Sequence, residues 1–333
     1  MGLTYEQAGV KVKESDEFKS RLSTLVSETM RPEVLSDMSE FCSLFALPGG
    51  YKEPVLASAT DGVGTKCLVA EHLNDLSFLG QDIVAMCVND LITVGANPLF
   101  FLDYIATEKF DKDIVESLVR SIAKACKVAG CALVGGETAQ MPGVYAPGHF
   151  DLAGFVVGVV EREKMLGTHR VQAGDQILGL PSNGLHANGF SLVRAILGTE
   201  DGDEIRKIPT DLNLVEELLR PTRLYVKEMH SIRKVEGVHA AAHITGGGLP
   251  GNVVRILPDG HQATLEKSHW QVPPIFEWLA ERGDVDEAEM YRTFNMGIGF
   301  VVIAAYEAVD TLIDSGFSLI GSVQGGEKGV KLI

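Results

Sequence analysis

The sequence predicts an α/β (or α+β) protein built from two domains. Three observations carry this reading. The chain has 333 residues, more than one ordinary domain, and its 45% hydrophobic content supplies a core for each of two. Apolar runs of strand length alternate with segments of helical period in both halves. A break in this pattern around 167–174 separates an N-terminal domain, residues 1–168, from a C-terminal α/β domain, residues 169–333.

The elements follow in order. Residues 1–50 read as polar and irregular, with one helix near 18–30 that Arg31-Pro32 ends. A strand over 54–60 comes next. Helical periodicity over 78–96 runs through Ile83, Val84, Met86, Cys87, Leu91 and Val94 and stops at Gly95-Ala96-Asn97-Pro98. The apolar run 99–106, with Asp103 embedded in it, reads as a buried strand. A helix over 111–130 opens on acidic residues that suit its positive end. A short strand over 131–134 runs into Gly135-Gly136-Glu137-Thr138, and another covers 152–160. Beyond the break come a strand over 176–180, a helix over 188–197 and a helix pair over 212–235 split by Pro221. A strand over 239–243 enters Thr245-Gly246-Gly247-Gly248, with a helix near 252–257 behind it. Strands near 263–265, 299–304 and 319–321 then alternate with helices near 274–282, 285–293 and 306–314. No internal repeat is visible.

Composition removes several classes of function. A formal charge of −16 with no basic stripe argues against nucleic acid as a partner. A small phosphorylated substrate stays compatible, because a few local cations and Mg²⁺ can reverse the field within one cleft. The five cysteines (Cys42, Cys67, Cys87, Cys126 and Cys131) are odd in number and form no Cys-x-x-Cys, so neither a disulfide framework nor a zinc site is indicated. The start lacks a signal peptide and no apolar run reaches membrane-spanning length, which predicts a cytoplasmic enzyme with no membrane association. The 36 glycines gather in clusters, as expected of several functional loops.

Of those loops, Asp61-Gly62-Val63-Gly64-Thr65-Lys66 is the most informative. Glycines let backbone N–H groups approach an anion, Lys66 can place a point charge on a phosphate and Asp61 can hold Mg²⁺. It is not a Walker A loop, and an ordinary Asp-Gly turn accounts for the same residues. On the helix over 78–96, Asp82 and Asn89 project from nearly one face, with Asp90 about 100° further round. A capped or partly exposed face suffices for Asp82, whereas Asn89-Asp90 within an apolar helix suits metal or phosphate binding. Gly135-Gly136-Glu137 repeats the first loop's pattern and offers a second oxygen ligand or a nucleotide contact. Asp103 fits a structural network as well as a site. In the second half, Ser182-Asn183-Gly184-Leu185-His186-Ala187-Asn188-Gly189 offers donors at a helix start, with His186 able to titrate or to bond a substrate. His243 stands at the rim of the Gly246-Gly247-Gly248 loop, which reads as a phosphate cradle. Arg223 suits forked contacts with phosphate, or is an exposed helical arginine. Arg292, Asn295 and two glycines precede the strand over 299–304, and a tight turn explains those glycines as well.

Together and in this order these motifs resemble the phosphoribosylformylglycinamidine cyclo-ligase family, also called aminoimidazole ribonucleotide synthetases. The set comprises Asp61–Lys66, Ala85-Met-Cys-Val-Asn-Asp-Leu91, Gly95-Ala-Asn-Pro-Leu-Phe-Phe-Leu-Asp-Tyr104, Leu133-Val-Gly-Gly-Glu-Thr-Ala139, His186-Ala-Asn-Gly189, Pro221-Thr-Arg-Leu-Tyr225, His243-Ile-Thr-Gly-Gly-Gly248 and Met290-Tyr-Arg-Thr-Phe-Asn295. The likeness spans nearly the whole chain from about Tyr5. It implies a homodimer whose N-terminal mixed sheets join in a β-barrel, with ATP in the cleft beside the C-terminal domain. It implies ATP-dependent ring closure of formylglycinamidine ribonucleotide to aminoimidazole ribonucleotide, a step of purine biosynthesis that passes through a phosphorylated amide. Asp61, Asn89, Asp90 and Glu137 would then organise Mg²⁺ and ATP, with Gly62, Gly64, Thr65, Gly135 and Gly136 beside them and Lys66 on phosphate. His186, Arg223, His243 and Gly246–Gly248 would hold the ribonucleotide. Selenophosphate synthetases and thiamine-monophosphate kinases are sister enzymes; the former carry a reactive Cys or Sec near the N-terminus, where this chain has none before Cys42.

Overall fold

The computed structural model describes residues 16–36 and 40–333; the expectation for residues 1–15 lies outside them. Two mixed sheets organise the chain. The first contains β1 (Pro54–Gly62), β2 (Asn97–Thr107), β3 (Ala132–Gln140) and β4 (Phe150–Glu161) in the order β1-β4-β2-β3. Its first two pairings are antiparallel and β2 runs parallel to β3. The second holds β5 (Gln176–Pro181), β6 (Val238–His243), β7 (His261–Leu265), β8 (Ile298–Ala304), β9 (Ser318–Gly325) and β10 (Gly329–Leu332) in the order β10-β7-β9-β5-β8-β6.

Helices α1 (Asp16–Ser27), α2 (Lys66–His72), α3 (Leu79–Ile92) and α4 (Lys112–Ala129) belong to the first half. The second half carries α5 (Phe190–Leu197), α6 (Gly202–Ile205), α7 (Leu214–Leu219), α8 (Val226–Ile232), α9 (Gly248–Val253), α10 (Pro274–Gly283), α11 (Glu287–Thr293) and α12 (Val309–Asp314). Helix α4 starts where the Asp111 side chain accepts from the N–H groups of Asp113 and Ile114, and ends at left-handed Gly130 (φ 73°). Helix α3 is wedged between the first sheet and the second half; apart from Gln81 and Asp90, every residue of it is buried. That double burial explains its nearly continuous apolar sequence.

Four differences from the sequence reading have physical causes. Strand β1 runs on through Asp61 and Gly62, and the chain turns into α2 at Lys66, a helix too short to show a period. The expected helix pair over 212–235 is α7 and α8 with an irregular segment, 220–225, between them. Strand β10 pairs parallel with β7 over only four residues, too few to declare themselves. The Gly135-Gly136-Glu137-Thr138 stretch is no loop: β3 continues through it in register with β2, Gly136 opposite Asp103. A Cβ on Gly136 would stand 2.3 Å from the Asp103 Oδ1, so the glycine there serves packing within the sheet.

The barrel expected from the resemblance is not closed among the described residues. The first sheet is open, with β1 and β3 at its edges. On its face away from α3 it leaves Leu56 65% and Phe155 44% exposed.

Candidate active site

The candidate site lies where the C-terminal ends of β1 and β6 meet the last turns of α3. Asp61 is half-buried near the end of β1 and its Oδ1 accepts the Gly62 N–H at 2.8 Å. Burial raises its carboxyl above the usual range; the Gly62 amide opposes this, the neighbouring Asp90 charge adds to it and His243 acts against it. Asp90 reaches the cleft with its side chain 45% exposed, and its Oδ1 lies 2.9 Å from Nδ1 of His243. The His243 ring is otherwise enclosed, with its Nε2 3.3 Å from the Asn89 Nδ2. An amide nitrogen can only donate, so Nε2 accepts and the ring proton sits on Nδ1, facing the Asp90 carboxylate. Residues from both halves thus fix one carboxylate, Asp90, beside another, Asp61.

Lys66 and Asn89 depart from expectation. Lys66 is fully buried: its Nζ lies 2.8 Å from the Asp82 Oδ2 and donates to the Asp82 Oδ1 at 3.0 Å and the Arg220 carbonyl at 2.8 Å. Buried to 0% exposure between the Asp82 carboxylate and the Arg220 carbonyl, it does not reach a phosphate in the cleft in this conformation. Asn89 is also fully buried, its Oδ1 accepting the Tyr225 N–H at 3.0 Å and its Nδ2 donating to the Arg223 carbonyl at 2.8 Å. It holds the His243 ring and is turned away from any cleft ion.

Glu137 is exposed on β3, at the opposite edge of the first sheet from Asp61. The register places Asp61, Gly154, Asp103 and Gly136 in one row, so the two edges lie three strand spacings, about 14 Å, apart. Glu137 and Asp61 therefore do not meet on one ion within this chain. Among the described residues no group of three or more His, Cys, Asp and Glu is gathered as a metal cage. Gly62 closes β1, Gly64 (φ 72°) forms the exposed tip of the turn, and the Thr65 Oγ1 lies 3.2 Å from Ser191 at the start of α5.

The second-half loops are braced from behind. His186 is buried in a left-handed conformation (φ 63°), a strained position for such a residue. Its Nε2 accepts the Asn183 N–H at 3.1 Å, which leaves the proton on Nδ1, and Nδ1 has no partner. Burial, assisted by the positive charges of Lys66 and Arg223, lowers His186 well below its ordinary value, so the ring is neutral. Gly246 and Gly247 are exposed at the loop tip, while a Cβ on Gly248 would lie 1.9 Å from the Tyr291 carbonyl. Arg223 donates to the Pro181 carbonyl at 3.0 Å and to the Glu228 Oε1 at 2.6 Å, and lies over the Tyr225 ring. Its fork is already occupied.

Two residues brace these loops, and of them the sequence reading notes Asn295, beside a tight turn, and does not single out Asn252. Asn252 donates to the carbonyls of Thr245, Gly246 and Gly248, and Asn295 to that of Gly184 at 2.8 Å. The available signal was an amide one turn after a triple glycine, and an amide just ahead of Met296-Gly297.

Comparisons with known proteins agree along the whole chain. The family model described as AIR synthase related protein, N-terminal domain, matches residues 44–160, and the corresponding C-terminal domain matches residues 172–331. The chain is 50% identical over 319 residues to a phosphoribosylformylglycinamidine cyclo-ligase of Sorangium cellulosum (strain So ce56), covering 95% of this chain and 92% of that one. Among solved structures it resembles hydrogenase maturation protein HypE in complex with ATP, at 18% identity and a TM-score of 0.66, covering 94% of this chain and 90% of that one. It resembles a thiamine-monophosphate kinase from Stenotrophomonas maltophilia K279a at 20% identity and a TM-score of 0.66, covering 95% and 94%. At those identities the last two share the fold. Among the described residues no helix is long and apolar enough to cross a membrane.

Proposed function

The chain belongs to the phosphoribosylformylglycinamidine cyclo-ligase family of AIR synthase related proteins and is an enzyme of that family; on that premise we propose that it closes the imidazole ring of formylglycinamidine ribonucleotide, consuming ATP and releasing aminoimidazole ribonucleotide, ADP and phosphate in the cytoplasm. The observation that carries this reading is the pairing of Asp61 with Asp90, whose carboxylate is oriented by His243 from the other half of the molecule. An amide oxygen is a poor leaving group. Transfer of the γ-phosphoryl of ATP to that oxygen gives an iminophosphate; the neighbouring amine attacks its carbon, the C–O bond breaks and phosphate departs. Such chemistry needs charge neutralisation and alignment more than a protein nucleophile.

Asp61 and Asp90 are hard oxygen donors with like charges side by side, a pair that fits Mg²⁺, and they would hold it together with nucleotide phosphates. Bound there, Mg²⁺ would neutralise charge on the transferring phosphoryl group. His243 orients Asp90 through Nδ1–H, and the neutral His186 presents its unpartnered Nδ1–H as a hydrogen-bond donor to the ribonucleotide. The exposed tip of the Gly246–Gly248 loop would seat the substrate phosphate. We place the boundary between the two domains at residues 168/169. The exposed apolar face around Leu56 and Phe155 would meet its counterpart in a homodimer and complete the barrel.

One assay tests the reading. The protein is incubated with Mg-ATP and formylglycinamidine ribonucleotide, and the product is diazotised to a coloured dye. Colour and ADP in equal amounts are expected. ADP release only with selenide or thiamine monophosphate as acceptor would overturn it.

A further inference from the structure

Segment 220–225 belongs to neither a helix nor a sheet, so its backbone polar groups need partners elsewhere. Side chains of α2 and α3 supply them. Lys66 bonds the Arg220 carbonyl at 2.8 Å, Asp82 the Thr222 N–H at 2.7 Å and Gln81 the Thr222 carbonyl at 3.0 Å. Asn89 takes the Arg223 carbonyl at 2.8 Å and the Tyr225 N–H at 3.0 Å. The Asp82 Oδ1 also accepts the Thr222 hydroxyl at 2.6 Å, and Lys66 lies 5.6 Å from the centre of the Phe190 ring on α5. The ion pair is fully buried, and both of its ends touch the second half. Further along α3, Asn89 is the residue that holds His243, and His243 holds Asp90.

We infer that Lys66 and Asp82 are positioning residues: they clasp segment 220–225 onto α3, and the seated segment fixes Asn89, the His243 tautomer and so the direction of the Asp90 carboxylate. The role of Asp90 in this inference rests on the function proposed above. Lys66 acts through its neighbours and does not touch the nucleotide.

Three variants test the clasp. Thr222→Val deletes only the hydroxyl donor. Lys66→Met deletes the cation and leaves Asp82 buried without it. The double variant Lys66→Met/Asp82→Asn removes both charges but keeps an oxygen for the Thr222 N–H and hydroxyl. Each is read by ring-closure kinetics over a range of ATP concentrations and by ¹⁵N NMR of the His243 ring. In Lys66→Met we expect kcat to fall about tenfold or more, as when a residue behind a functional group is lost, with KM for ATP changed less than about twofold. The single Nδ1–H signature of His243 is lost, and the double variant restores most of both kcat and signature. Thr222→Val moves both readouts in the same sense by a smaller factor, and carries the test should Lys66→Met not fold. An ATP KM raised in every Lys66 variant with the His243 signature intact makes Lys66 a phosphate ligand and overturns the proposal. A fall in melting temperature with kcat and signature unmoved also overturns it, by leaving the pair merely structural. If the wild-type protein does not close the ring, the functional reading fails and the His243 signature alone decides the clasp.

Discussion

The two ends of α3 face the same partner and are built in opposite ways. At one end Asp82 is sealed: its carboxylate meets an ammonium, an amide and a hydroxyl, all shut away from water. Two turns later Asp90 meets one imidazole and remains 45% exposed. Residue type is the same and the helix is the same. What differs is whether the surrounding groups use up the charge. A buried carboxylate matched by enough donors fixes a structure, whereas one held in place but left with free lone pairs can bind a ligand. The interface between the two halves is therefore closed at Asp82 and available at Asp90.

Substitution at the two ends should separate these roles most widely. Asp82→Ala strands a buried ammonium and is expected to cost about 3–5 kcal/mol in urea unfolding. Asp90→Ala should stay within about 0.5 kcal/mol of the parent, yet lower kcat/KM by about a hundredfold or more, roughly 2.7 kcal/mol of transition-state stabilisation. Normal ring closure by Asp90→Ala would remove that residue from the proposed metal site and erase the contrast.

A third carboxylate supplies the case of burial with no cation. Asp103 is buried in the first sheet over Gly136; burial pushes its carboxyl up to about 7, opposed only by its own backbone N–H. Between its ordinary value and 7 the unfolded chain gives up this proton while the folded protein keeps it. Stability is thus full at acid pH and declines as pH rises. Relative to Asp103→Asn, the parent should lose about 4 kcal/mol between pH 4 and pH 8. Parallel unfolding curves for the two proteins across that range would mean the carboxyl titrates normally.

Asn89 stands between the sealed and the open end. Asn89→Ala leaves the Tyr225 N–H and the Arg223 carbonyl without their partners, and should cost about 2 kcal/mol in urea unfolding. It also frees the His243 Nε2, so part of the Asp90→Ala loss in kcat should appear in this variant. Lost stability with unchanged kcat would confine Asn89 to holding the interface together.

Sequence reading found the open end more readily than the sealed one. Asp61 stands out because a carboxylate ends an apolar run before two glycines, and Asp90 because it interrupts an apolar helix. Their neighbourhood follows from ordinary strand and helix geometry. Lys66 and Asn89 misled, since each is satisfied by backbone atoms of segment 220–225, some 130 to 150 positions away, and no local pattern encodes such a partner. Gly135 and Gly136 misled for a related reason. Paired glycines suggest a loop, but one of them is small because a side chain on the adjacent strand lies against it. Segment 220–225 reads as part of a helix pair because Pro221 marks a break without saying how long the break is.

The smallest effect concerns Arg223, at the edge of the cleft. Its guanidinium is 28% exposed, bonded to Glu228 and to the Pro181 carbonyl, and stacked on Tyr225. Arg223→Lys keeps the charge but loses the fork and most of the stacking. For a partly exposed pair this should cost less than about 1 kcal/mol in urea unfolding. Because those donors are already spent within the protein, KM for the ribonucleotide should stay within about twofold of the parent value. A tenfold rise in that KM, with ATP KM unchanged, would mean that the ribonucleotide displaces Glu228 from the arginine on binding. The cleft would then recruit a charge that the unliganded protein keeps neutralised, and the line between sealed and open ends would shift by one residue.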